Sequence, residues 1–79
     1  MIALTLYSRH ECHLCEEMLA ELLPIIDGKA SIEVVDIDTD ATLARRFGQI
    51  IPVLMHGDEE LSRLKLDRGR VIAVIDRST

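Results

Sequence analysis

The chain has 79 residues, of which 48% are hydrophobic and 29% charged, and its formal net charge is −5 at pH 7. This balance is ordinary for a globular protein, and the length leaves room for one small domain, which we expect to cover residues 1–79. One Tyr, one Phe, no Trp and the acidic net charge disfavour a nucleic-acid partner, because phosphate binding needs clustered Lys and Arg. No apolar run reaches the roughly 20 residues that a membrane span needs.

The first residues, MIALTLYSRHEC, contain no basic leader, no long apolar segment and no small-residue cleavage site, so we predict no signal peptide. Two cysteines are also too few for the disulfide framework of a secreted domain. We therefore expect a cytoplasmic protein that works as a monomer, without a membrane or nucleic-acid partner.

The first strand and helix are predicted from hydrophobic periodicity. Residues 2–7 alternate apolar and polar side chains, which is typical of a half-buried strand. An amphipathic helix follows, starting near Cys12 or His13, and its apolar residues recur every four positions: Leu14, Met18 and Leu22. Pro24 is expected to end or kink this helix, because proline lacks an N–H and restrains the residue before it.

The middle of the chain predicts a second strand and a short helix. Residues 31–38 (SIEVVDID) are β-branched and nearly continuously apolar, as expected for a strand buried on both faces. Asp38 or Thr39 is a candidate cap for a helix over residues 40–47, and Gly48 would stop that helix.

The last third predicts a hairpin and a helix. Residues 50–57 and 59–66 form two strands around Gly57-Asp58. The segment 68–77 is ambiguous because β-branching favours a strand, but its helical spacing and a capping Asp67 favour a helix. The order βαβαββα predicts a layered α/β domain with a mixed four-stranded sheet flanked by helices.

Cys12 and Cys15 allow three interpretations. The first is a structural disulfide. A disulfide that closes a four-residue loop would stabilise the fold by only about 2 kcal/mol, against about 3 kcal/mol for a 15-residue loop. A closed zinc site needs four ligands, and although His10, His13 and His56 are available, a second CxxC is missing, so we predict no metal site. An Fe–S cluster shared between two chains stays a minor alternative.

The third interpretation is a redox couple. A thiolate at a helix N-terminus is stabilised by unpaired backbone N–H groups and by the helix dipole, and Cys12 stands at that point. Cys15 follows one turn later on the same helix face, where it can attack a mixed disulfide formed at Cys12. A CxxC after a strand in a βαβ pattern is typical of redox proteins, so this interpretation is favoured.

The segments LTLYSRHECHLCEEM, VVDID and FGQIIPVL resemble the glutaredoxin-like proteins of the thioredoxin fold, specifically a small bacterial subgroup. The resemblance runs from about residue 2 to 66 and implies a minimal glutaredoxin-type thioredoxin-like fold. In that family a proline like Pro52 is cis and faces the CxxC, and the backbone of the residue before it, here Ile51, pairs with a bound thiol peptide.

The resemblance also implies roles for basic residues near the cysteines. Arg9 matches the family's basic residue three positions before the first cysteine, which meets a glutathione carboxylate. Three residues just ahead of Ile50 could meet the same group: Arg45, Arg46 and Gln49. The family's Gly-Gly-x-Asp turn, which holds the γ-glutamyl end of glutathione, is absent, although LDRG (66–69) lies at a comparable place. A positive charge on His13, inside the CxxC, would alter the redox poise.

From these observations we predict a thiol-disulfide oxidoreductase. Cys12 and Cys15 are its catalytic residues, and four residues are predicted to bind the substrate: Arg9, His13, Ile51 and Pro52. We expect no bound cofactor, glutathione as a possible reductant, and a disulfide-containing protein or glutathione as partner. The alternative, from another class, is a non-catalytic thioredoxin-fold module that binds a protein partner or a metal.

Overall fold

Four strands and three helices make up the computed structural model, which describes residues 1–78, so Thr79 of the expected domain lies outside the described residues. The strands are β1 (Ile2–Ser8), β2 (Ala30–Asp36), β3 (Val53–His56) and β4 (Glu59–Arg63). The helices are α1 (His13–Ile26), α2 (Ala41–Phe47) and α3 (Arg68–Arg77), and a 3-10 turn over Ile37–Thr39 precedes α2. The predicted order βαβαββα is confirmed.

The strands form one mixed sheet in the order β2-β1-β3-β4. β1 and β2 are parallel, with Ser8 opposite Asp36, whereas β3 runs antiparallel to β1, with Val53 opposite Tyr7. The carboxyl ends of β1 and β2 and the start of β3 therefore lie at one end of the sheet, which we call the site end. The opposite end, which we call the far end, carries the turns at residues 27–29 and 57–58.

Alternation along the strands divides the core into two layers. Leu4, Leu6 and Leu54 point to the face covered by α1 and α3, where the larger cluster of buried apolar side chains lies. The other face carries Val53 and Met55, packed with the residues of a smaller cluster that includes Ile37 and Phe47. The first layer fixes α1, and the second fixes the segment between α2 and β3.

Three sequence predictions need correction. β2 is an edge strand, and Val34 within it is 50% exposed, so residues 31–38 are not a strand buried on both faces. α2 is capped by Asp40, whose Oδ1 accepts from the backbone N–H of Thr42 at 2.8 Å, rather than by either residue that we predicted. Pro24 does not end α1, which continues to Ile26, and the alternative that it kinks this helix stays a prediction.

The hairpin and the last helix agree with the sequence predictions. Residues 57–58 join β3 to β4, and the tail forms α3 rather than a strand. Asp67 caps α3 by accepting a hydrogen bond from the backbone N–H of Arg70 at 3.1 Å. Val71, Val74 and Ile75 are buried beneath this helix. No helix within residues 1–78 is both long enough and apolar enough to cross a membrane.

Candidate active site

Cys12 occupies the N-cap of α1, directly after the loop that leaves β1. Its Sγ accepts a hydrogen bond from the backbone N–H of Cys15 at 3.2 Å, and its carbonyl accepts from the N–H of Glu16 at 3.1 Å. The first turn of a helix has N–H groups without partners inside the helix, and its dipole places partial positive charge there. The sulfur of Cys12 therefore lies where negative charge is stabilised.

The two cysteines differ in accessibility. They are joined as a disulfide, with their Cα atoms 5.2 Å apart. Cys15 is buried, at 3% exposure, and faces the core, whereas Cys12 is only partly buried at the surface of the site end. After reduction, an incoming disulfide would meet Cys12 first, and Cys15 would lie within reach of a mixed disulfide formed at Cys12.

Arg9, in the loop before Cys12, is held by a carboxylate. Its Nε and Nη2 donate to the two carboxylate oxygens of Asp38 at 2.9 and 3.1 Å. The hydrogen bond and the charge of Asp38 raise the pKa of Arg9 above its ordinary value. A Cβ added to Gly48 would lie 3.6 Å from Arg9 Nη2, so the end of α2 packs beside this pair. Arg9 thus links the cysteine loop to the turn after β2 and to the end of α2.

His13 lies between the cysteines and extends into solvent. Its side chain is 81% exposed, and Nε2 lies 2.9 Å from Oε1 of Glu17, one helical turn further along α1. His56, which the metal hypothesis considered, is the last residue of β3 and lies at the far end, away from the cysteines. Within residues 1–78, no three His, Cys, Asp or Glu side chains are grouped to hold a metal ion.

Ile51 and Pro52 precede β3 and lie at the site end, as the loop with Cys12 does. The peptide bond between them is cis. Pro52 is buried, and its carbonyl accepts a hydrogen bond from the backbone N–H of Leu64 at 2.8 Å, which ties the end of β4 to this segment. Ile51 is partly buried and packs against the smaller core cluster with Ile50. The assignment of Ile51 and Pro52 to substrate binding stays a prediction.

Several contributors to the site were not identified from the sequence. Asp38 neutralises Arg9 across 29 positions of sequence, and no local pattern marks such a pair. Tyr7 and Phe47 stack with ring centroids 4.4 Å apart, and the guanidinium of Arg46 covers the Phe47 ring at 4.8 Å. Leu64, 45% exposed, is tied to Pro52 by a backbone hydrogen bond. Phe47 is 3% exposed, so the stack belongs to the smaller core cluster.

Comparison with known proteins assigns this arrangement to a family. Residues 3–76 match the family model described as a glutaredoxin-like domain (DUF836). The chain belongs to the glutaredoxin-like family. The resemblance that the sequence suggested is therefore confirmed, and with it the thioredoxin-like fold. No curated protein matches the chain.

Solved structures agree with this assignment. The Northeast Structural Genomics target protein XcR50 from X. campestris is 35% identical, with a TM-score of 0.69, and the match covers 96% of this chain and 99% of that one. Thioredoxin 1 from Thermosipho africanus TCF52B is 19% identical, with a TM-score of 0.62 and coverage of 98% and 93%. Thioredoxin-2 of the malaria parasite, 20% identical, has a TM-score of 0.63 and coverage of 98% and 82%. At these identities the two thioredoxins show the fold alone.

Proposed function

We propose that this glutaredoxin-like protein is a thiol-disulfide oxidoreductase in which Cys12 attacks and Cys15 resolves. The observation that carries the proposal is the difference between the two sulfurs. Cys12 is accessible and caps α1, whereas Cys15 is 3% exposed and lies one turn deeper. The family and the cysteine pair at disulfide distance support a redox role.

The reaction exchanges one disulfide for another. The Cys12 thiolate attacks one sulfur of the substrate, the substrate S–S bond breaks, and the released thiolate takes a proton from water. Cys15 then loses its proton and attacks the Cys12 sulfur of the mixed disulfide, which releases the second substrate thiol. Two electrons pass to the substrate, and the protein ends with the Cys12–Cys15 disulfide. The N-terminus of α1 stabilises the Cys12 thiolate as the nucleophile of the first step.

The partners are part of the proposal. We propose that the chain works as a monomer in the cytoplasm, with no bound cofactor or metal, and exchanges with a disulfide-containing protein. Glutathione is the proposed reductant. In this structure the Nε and Nη2 donors of Arg9 bind Asp38, so a carboxylate of glutathione would meet the remaining guanidinium N–H groups or displace Asp38. Arg45 and Arg46, in the last turn of α2, make no such pair within residues 1–78.

The test uses a reduced Cys15→Ser variant, which can form the mixed disulfide but cannot resolve it. It is exposed briefly to glutathione disulfide and, in a separate reaction, to the uncharged hydroxyethyl disulfide, and its intact mass is followed with time. We expect one adduct, on Cys12, formed faster than on free cysteine at the same pH. A Cys12→Ser variant, the matched control, should form none at that rate. If the Cys15→Ser variant reacts with both disulfides no faster than free cysteine does, the enzymatic proposal is wrong.

A further inference from the structure

We propose that the site end selects disulfides that lie in an acidic segment of a partner protein, through three cations: Arg45, Arg46 and Lys65. This inference rests on the proposed function, because it names the substrate class for the same cysteine pair. It concerns binding of the substrate chain around its disulfide and adds no chemical step to the exchange.

The first two cations lie beside the cysteine loop. Arg45 and Arg46 form the last turn of α2, whose end approaches Arg9 closely enough that a Cβ on Gly48 would contact Arg9 Nη2 at 3.6 Å. The guanidinium of Arg46 lies 4.8 Å from the centre of the Phe47 ring, which stacks in turn on a residue of β1. Stacking on a buried ring restrains a guanidinium while leaving its N–H groups available.

The third cation lies on the other side of Pro52. Leu64 donates its backbone N–H to the Pro52 carbonyl at 2.8 Å, and Lys65 follows it immediately. Lys65 is exposed. Arg45 and Arg46 precede the segment that contains Ile51 and Pro52 by a few positions of sequence. Lys65 is brought close to the same segment by the hydrogen bond of its neighbour Leu64.

These three cations differ from most others in having no internal counter-charge. Arg9, Arg63 and Arg68 each lie in an ion pair with a carboxylate, at 2.9, 2.8 and 3.5 Å respectively. Among residues 1–78, Arg45, Arg46 and Lys65 lie in no ion pair, and all three are exposed. Their charge is available to a partner.

Most carboxylates near the cysteines face a local donor or cation. Asp36, Asp40 and Asp67 keep their negative charge, but each accepts a backbone N–H at the start of a turn or helix, where partial positive charge offsets part of it. Glu17 lies beside His13. Glu11, in the cysteine loop, and Glu16, in the first turn of α1, are exposed. The unpaired cations thus belong to the end of α2 and the segment after β4, whereas these two carboxylates belong to the cysteine loop and α1, so the acidic residues of the partner should lie on one flank of its cysteine.

Exposed apolar side chains are also found at the site end. Leu14, in the first turn of α1, is 47% exposed, and Leu64, whose backbone is hydrogen-bonded to Pro52, is 45% exposed. Ile50 and Ile51, just before Pro52, are partly buried. An apolar centre with a charged rim is the usual anatomy of a protein-binding surface, and the charged rim sets partner choice.

The net charge of −5 does not oppose this choice. At physiological ionic strength charges are screened over about 8 Å. A bound segment therefore interacts mainly with the charges of the site end, and those of the far end contribute little.

The test is a single-turnover reaction of chemically reduced protein with synthetic peptide disulfides, followed by the release of peptide thiol. Two peptides are identical except that the cysteine is followed by two Glu residues in one and by two Lys residues in the other. We expect the acidic peptide to react about fivefold faster at about 0.15 M salt, where the charges of the far end are screened, and the difference to vanish near 1 M. Lys65→Glu should lower the preference roughly twofold, and adding Arg45→Glu should remove it.

Lys29→Glu is the matched control, because Lys29 is exposed and lies in the turn at the far end. It should leave the preference unchanged. Equal rates for both peptides, above the rate of free cysteine, would overturn this inference while leaving the proposed function intact. An equal effect of Lys29→Glu and Lys65→Glu would also overturn it, because the selectivity would then come from net charge. Rates no better than those of free cysteine for either peptide would contradict the proposed function itself.

Discussion

The two ends of the sheet differ in which residues adopt positive φ. At the far end these are Gly28 and Gly57, with φ of 71° and 59°. At the site end they are Glu11, immediately before Cys12, and Leu64, whose backbone N–H is hydrogen-bonded to the Pro52 carbonyl. Their φ angles are 56° and 64°. The left-handed region costs a residue with a Cβ roughly 1–2 kcal/mol, whereas glycine adopts it readily.

This difference separates two demands on a small domain. The far-end turns use the residue type that suits their backbone, so they favour folding. The site end has a residue with a Cβ on strained backbone next to Cys12, which is Glu11, and another next to Pro52, which is Leu64. The backbone hydrogen bond to Pro52 holds Leu64 in this conformation. We therefore expect far-end substitutions to change the stability of the fold without changing the reactivity of Cys12. Site-end substitutions should change the reactivity of Cys12 more than they change stability.

The largest effect is expected for Ile26→Ala at the far end of α1. Ile26 is 2% exposed, so truncating it should lower the free energy of unfolding by about 3 kcal/mol, which denaturant titration measures. Leu23→Ala, three positions earlier and 47% exposed, is the control and should cost less than about 1 kcal/mol. In the reduced, folded protein neither variant should change the alkylation rate of Cys12. A changed alkylation rate in Ile26→Ala would contradict the expectation that far-end substitutions leave the reactivity of Cys12 unchanged.

A pair of substitutions at positive φ comes next. A Cβ on Gly28 would meet no atom within 4 Å, so Gly28→Ala introduces no steric contact. It should lower the free energy of unfolding by about 1 kcal/mol, because alanine disfavours positive φ, and it should leave the reactivity of Cys12 unchanged. Glu11→Gly should change stability by less than about 0.5 kcal/mol, because the relief of strain is offset by a more flexible unfolded chain. Glu11→Gln removes the same charge and is the reference; relative to it, Glu11→Gly should slow Cys12 alkylation, and equal rates in the two variants would show that the loop conformation does not matter for the thiolate.

A smaller effect is expected for Arg9→Gln. This change removes a positive charge from the cysteine loop and leaves the Asp38 carboxylate unpaired, so alkylation of Cys12 near neutral pH should slow by about two- to threefold. Arg77→Gln removes an arginine from a comparable ion pair, with Glu59 at 2.7 Å, but at the far end. Equal slowing in both variants would contradict a local role for Arg9.

The smallest effect concerns pH at the far end. The hydrogen bond from Arg77 lowers the pKa of Glu59 below its ordinary value of 4.5. A carboxyl whose pKa is lowered in the folded state contributes stability above its unfolded pKa, and this contribution is lost as pH falls through the folded pKa. Wild type should therefore have a slightly higher Tm than Glu59→Gln near neutral pH, and the difference should shrink as the pH falls below 4.5. A difference that does not shrink on acidification would exclude this ion pair as its source.

Local signals explain what the sequence could predict. Apolar periodicity predicted that α1 starts near Cys12 or His13, and Asp67 with the apolar stripe after it predicted α3 over a competing strand. Both depend on neighbours within about one helical turn. The family resemblance added the fold and placed Ile51 and Pro52 near the cysteines.

The errors arose where tertiary position decides. β2 is an edge strand because of the strand order, and the apolar run that suggested burial on both faces carries no information about that order. The segment DIDTD offers several capping side chains, and the chain uses Asp40. Pro24 is tolerated because Leu22 and Ile26 are buried on the core face of α1 on either side of it. The pairing of Arg9 with Asp38 joins positions far apart in sequence and follows from the parallel β1–β2 register.

The most direct test of the central claim is the order in which the two thiols react. The reduced wild-type protein is treated briefly with limiting iodoacetamide at neutral pH, and the first alkylated residue is located by fragment mass spectrometry. We predict alkylation of Cys12 with almost none on Cys15, because Cys12 is accessible at the helix N-terminus and Cys15 is buried. Alkylation of Cys15 first, or of both thiols at equal rates, would contradict the account.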